Sequence, residues 1–393
     1  GAGVWTVEGP GVGGFSVSGR PLGTSLATAT LTNLAAFRYV NPAGDNVITA
    51  SVVDVGIGGG QDSTGILSLG TNTTLSTDTI RVGVLKSTSC QIAFWSTGSV
   101  LTLRGKAGGT NRVGNVLVGY NNNSGSSGIG VVGSLVNWNN STVDALIGLL
   151  ELGYNSNAGG GTGAGTLQFN RGTLDITSAR IGYKQDAGGG AAIGTLNIGG
   201  GTVNIRTLLL GESALNGASV ASLNLTGGTL TVSADLATTA TATSGVNIAG
   251  GTLDLGGGGV PHAIGAATAT VDVVTFTAGT IRNLAEFNGG AGLVKSGAGV
   301  GTLDGSNSFT GGITLLGASA GAQLNLASLH ALGSGPLTIA GGTNARLDNV
   351  SGSDIALPGQ NAQVWSNSFE FVGTHSLDFG TGRSDKRELA LAA

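Results

Sequence analysis

The sequence predicts an all-β protein, a right-handed parallel β-helix (β-solenoid) with about three strands per coil, and three observations carry that prediction. The first is composition. Seventy-five of 393 residues are glycine, only 10% are charged, and valine, isoleucine, leucine and threonine dominate the rest. Such usage suits short strands joined by tight turns. An apolar content of 40% is too high for a disordered glycine-rich chain. The second is a repeat: GTLQFNRGTLDI (165–176) returns as GTLNIGGGTVNI (194–205), ASLNLTGGTLTV (221–232) and SGVNIAGGTLDL (244–255). Their central glycines Gly172, Gly201, Gly228 and Gly251 lie 29, 27 and 23 residues apart, periods that belong to solenoids. The third is a marker in step with the repeat. Val116-Leu117-Val118-Gly119-Tyr120, Leu150-Glu151-Leu152-Gly153-Tyr154 and Ala179-Arg180-Ile181-Gly182-Tyr183 share one pattern, with Leu208-Leu209-Leu210-Gly211-Glu212 and Ile80-Arg81-Val82-Gly83-Val84 as variants.

In chain order, residues 1–90 read as an irregular N-terminal β segment or cap that merges into the solenoid. Only IRVGV (80–84) looks like a rung there. Residues 21–49, with Pro21, Pro42 and LTNLAAFRYV, suit a cap or side layer, because a bare solenoid end exposes core and sheet edges.

Residues 91–290 read as the central coils. In the first repeat Leu167 and Phe169 alternate with Gln168, and after the turn Leu174 and Ile176 alternate with Asp175, so apolar side chains point in and polar ones out. VDALIGLLELGY (143–154) has helical propensity, but its tail matches the marker and is read as strand. Glycine at each corner permits positive φ, and the threonine after it restarts an extended strand. Loops such as NNNSGSSG (121–128) and KQDAGGG (184–190) vary in length while the strands do not, as insertions on a solenoid face do. Coils stacked about 4.8 Å apart, ~13 of them, give a rod on the order of 60 Å long.

Residues 291–393 form the last segment. GLVKSGAGVGTLDGSNSFTGGITLL (292–316), followed by ASLHALGSGPLTIAGGT (327–343), resembles the autotransporter-associated beta-strand repeat. The residues that match are Gly292, Leu293, Lys295, Gly297, Gly299, Gly305, Asn307, Phe309, Thr310, Gly311 and Gly312, then Ala331, Leu332, Gly333, Gly335 and Pro336. Gly301-Thr302-Leu303-Asp304 departs from the Thr-Leu-Thr-Leu strand of that family. With the looser repeats at 165–255, the resemblance covers about half of the chain. It implies a secreted or surface-displayed β-helical passenger of a large bacterial polypeptide, and scaffolding rather than catalysis. No translocator barrel follows, and the tail SDKRELALAA reads as a linker, a cleavage scar or a docking segment.

Charge and reactive residues narrow the function. Net charge is −4 with no basic stripe, which argues against nucleic acid as a partner. The one cysteine, Cys90, sits in apolar TSCQIAFW and reads as a buried inert thiol. Methionine is absent even from position 1, so the chain is expected to be a processed product. No apolar run is long enough for a membrane-spanning helix. Asp144, Glu151, Asp175 and Glu212 share no rung position, GGGQDSTG (58–65) lacks the calcium-repeat spacing, and His262, His330 and His375 lie far apart. No catalytic, metal or cofactor site is therefore expected.

Tyr120, Tyr154 and Tyr183 are expected to stack along one edge of successive coils, as a ladder closing the core or as a platform for sugar rings. The leading expectation is a non-enzymatic, secreted or cell-surface fibre, sheath or matrix element that self-associates head to tail. An adhesin binding glycans or the cell envelope is the alternative, and a polysaccharide lyase or hydrolase ranks third.

Overall fold

The computed structural model describes residues 4–6, 14–17, 28–31, 37–38, 45–122, 131–157, 159–215, 217–318, 320–342, 344–359 and 361–379. Most of the cap expected at 21–49, loop residues 123–128 and the tail SDKRELALAA lie outside them. Every pairing between described strands is parallel, apart from an isolated antiparallel bridge between Ala266 and Ala269. The fold is a parallel β-helix in which each coil lies in register on the next.

One coil shows why the repeat folds this way. Gly163–Phe169 forms the leading strand; Gly172–Lys184 then runs through the glycine–threonine segment and on into the marker. The burial alternates strictly along Gly163–Phe169, so Leu167 and Phe169 are inside while Gln168 is not. Stacking like on like makes three inward columns. Val136, Leu167, Leu196, Leu223 and Val246 pair in succession on the leading face. Ala145, Leu174, Val203, Leu230, Leu253, Ile281 and Leu303 do so on the glycine–threonine face. Val53, Ile80, Val116, Leu150, Ala179 and Leu208 do so on the marker face. All are buried. Each buried aliphatic side chain contributes roughly 1.5–3 kcal/mol. VDALIGLLELGY is strand, within Thr142–Asn155.

The corners need glycine for two reasons at once. Gly153 has φ +69°, and a Cβ there would sit 2.0 Å from the Ile193 carbonyl oxygen. An L side chain is strained on that backbone and has no room in that space.

The N-terminal part is more regular than the sequence suggests. Asp45–Ser63 pairs along Asn72–Thr88, with Val53 on Ile80 and Val55 on Val82. Gly56, at φ +72°, takes the place of the marker glycine. VVDVG (52–56), which the sequence reading passes over, matches the marker as closely as IRVGV does. Short strands Val4–Thr6 and Gly14–Val17 also pair in parallel with this segment.

Residues 292–343 show what their motif is for. Phe309, Ala331 and Leu332 are core. The Asn307 side chain accepts the Leu284 N–H at 2.8 Å and donates to the Ala331 carbonyl at 2.8 Å, tying three coils together. Gly335 lies so close to Gly312 that a Cβ would fall 2.1 Å from its nitrogen. Lys295 is the surprise. It occupies the inward column between Phe276 and Leu315 and is fully buried. Its stem fills the space left by Gly301, and its Nζ donates to the Ser296 and Gly297 carbonyls at 3.2 Å each. Burial pushes the amine down to about 8.

Candidate functional site

The densest chemistry among the described residues lies on the outside of the marker strands. Register places Asp54, Arg81, Leu117, Glu151, Arg180 and Leu209 in one outward column. Three residues further along each marker, past the positive-φ glycine, Val84, Tyr120, Tyr154, Tyr183 and Glu212 form a second column. The corner brings the two columns together.

The predicted tyrosine stack is present. Tyr120 and Tyr154 lie 4.4 Å apart between ring centroids at 13°, and Tyr154 and Tyr183 lie 5.4 Å apart at 53°. The Tyr154 hydroxyl donates to Gln185 Oε1. The Arg180 guanidinium carbon sits 3.3 Å from the Tyr183 ring centroid, a cation–π contact. Near-parallel stacking turns a face of Tyr120 toward Tyr154, which is itself buried. Burial, together with Tyr154 and Glu151, pushes the Tyr120 phenol up to about 12; burial raises Tyr154 as well.

Charge is held tightly beside the stack. Arg81 grips Asp54 through two contacts, Nε to Oδ1 at 2.5 Å and Nη2 to Oδ2 at 2.6 Å. Arg180 bonds Glu212 through Nη2 at 2.6 Å and Nε at 2.8 Å, and its Nη1 lies 3.5 Å from Glu151 Oε1. The Glu151 side chain is only 5% exposed. Burial pushes its carboxyl up to about 7, with Arg180 opposing and Glu212 reinforcing.

Sequence reasoning separated Glu151 from Glu212 by rung position, as the register confirms, but missed the arginine between them. The signal was available, since Glu151 and Arg180 occupy the same place in LELGY and ARIGY. Asp144 and Asp175 lie elsewhere, paired with Arg104 at 2.6 Å and Arg112 at 2.8 Å. His262 meets the Gly257 carbonyl at 3.1 Å and is not brought to His330 or His375. Cys90 is fully buried, and burial raises its thiol. No group of three or more His, Cys, Asp or Glu among the described residues is placed to hold a metal ion.

A contrasting surface covers the leading face. Thr166 and Gln168, Thr195 and Asn197, Ser222 and Asn224, and Gly245 and Asn247 point outward on successive coils, without a charge. Asn224 Nδ2 donates to Asn197 Oδ1 at 2.8 Å along this amide column.

No protein-family model, curated protein or solved structure matches the chain.

Proposed function

We propose that the protein is a non-enzymatic structural β-solenoid of the cell surface or extracellular space, a fibre, sheath or matrix element that stacks head to tail. One observation carries the reading. Among the described strands, Gln363–Trp365 and Phe369–Phe371 pair on one side only. Val364 and Phe371 are 48% and 39% exposed there. A strand edge with no described neighbour, beside exposed apolar side chains, is a template for another strand, and a second copy in the same register would cover it. The reactive side chains near the marker support a structural role, being committed to one another. The surface location draws on the likeness of 292–349 to passenger repeats.

Sedimentation of the purified protein across a range of concentrations tests this. We expect species larger than the monomer, and their loss on placing charge at the edge with Val364→Lys and Phe371→Lys. A wild type that stays monomeric at all concentrations refutes end-to-end assembly.

A second reading, a glycan-binding passenger, draws on the uncharged leading face, whose hydroxyl and amide columns suit a neutral sugar surface. Binding on a glycan array that is lost in Asn197→Asp/Asn224→Asp, but kept when Tyr120, Tyr154 and Tyr183 become alanine, would favour that face over the tyrosine edge.

A further inference from the structure

We infer that the tyrosine stack is a covalent cross-linking site, at which Tyr120 and Tyr154 of one chain couple to dityrosine under a peroxide-driven one-electron oxidant. The chain has four tyrosines, and three of them fall in one column. The in-register strands fix the partners: Tyr120 lies opposite Tyr154 on the adjacent strand, and the two rings stack. At 4.4 Å and 13°, ring carbons of one are in van der Waals contact with those of the other. Two groups held in contact by a rigid sheet react as if at very high concentration. The pair Tyr154–Tyr183 is held less favourably, tilted at 53° with Arg180 against the Tyr183 ring.

The chemistry balances without help from the protein. Each phenol loses one electron and its hydroxyl proton, giving a radical with density on the ortho carbons. One ortho carbon of each ring joins the other. The two ring hydrogens leave as protons while the phenol groups re-form. In sum, two hydrogens leave the pair, and hydrogen peroxide takes them to yield two waters. The product bonds two successive coils covalently on an edge where hydrogen bonds and stacking otherwise hold them. A cysteine-poor chain with its one thiol buried has no disulfide route to such a staple.

The test treats the whole protein, dilute, with a peroxidase and hydrogen peroxide. Cleavage of the denatured product after Glu151 places Tyr120 and Tyr154 on different peptides unless they are linked. The expected result is dityrosine fluorescence from monomer-sized protein and a joined peptide pair two hydrogens lighter than the sum. Tyr154→Phe and, separately, Tyr120→Phe should abolish that pair while keeping the stack and the fold, as read by circular dichroism. Tyr183→Phe and Tyr39→Phe should leave it. Dityrosine that forms only between chains or through Tyr39, rings that are hydroxylated but not joined, or a yield unchanged in Tyr154→Phe would each overturn the inference.

Discussion

Two buried ionisable side chains, Glu151 and Lys295, make opposite predictions for stability against pH. The folded Glu151 carboxyl sits at about 7, above its usual 4.5, so the fold prefers it protonated. Its stabilising preference is full below about pH 4.5 and is lost as pH rises through 7, up to about 3 kcal/mol in all. Glu151→Gln should therefore flatten the fall in denaturation midpoint between pH 4.5 and 8, and at pH 8 should be no less stable than wild type. Lys295 is the reverse case. Its folded value near 8, against 10.5, means that the buried amine is penalised while charged, and stability rises with pH from 8 to about 10.5, again by about 3 kcal/mol at most. Lys295→Met should stabilise the protein at pH 7 and lose that advantage by pH 10.5. The Glu151–Arg180 pairing was legible, because the marker aligns the two positions. The burial of Lys295 was not, since its room comes from Gly301 on another strand and its acceptors are corner carbonyls that no spacing reveals.

Within one coil, the corners differ in how tightly they are packed. Gly153 and Gly98 both have positive φ, +69° and +76°, but only Gly153 is pressed against backbone; a Cβ at Gly98 meets nothing within 4 Å. Gly98→Ala should cost about 1 kcal/mol, the conformational term alone. Gly153→Ala adds a clash with the Ile193 carbonyl and should cost more than about 2 kcal/mol, read as the drop in urea midpoint. A core truncation gives the scale: Leu174→Ala removes one link of an unbroken inward column and should cost about 2–5 kcal/mol. Strands, corners and inward columns of the repeats at 165–255, and the markers at 116–120, 150–154 and 179–183, followed from alternation and glycine spacing. The rung at 52–56 did not, because short glycine–valine strings recur in many places of so glycine-rich a chain.

Across the whole molecule, repetition divides the surface into faces of different chemistry. The marker face carries tyrosines and paired charges, the leading face hydroxyls and amides, and the strands at 363–371 an edge with no neighbour among the described residues. Column chemistry was readable once the repeats were aligned. The contacts that consume it were not, since they depend on which corner swings one column against another. We propose that this chain is continued by further copies of itself, through the edge around Val364 and Phe371. Electron microscopy of the purified native protein would reveal such assembly. Rods or fibres several times longer than one monomer, on the order of 60 Å from the stacking of its coils, are the predicted result. A uniform field of single short rods at every concentration would contradict it.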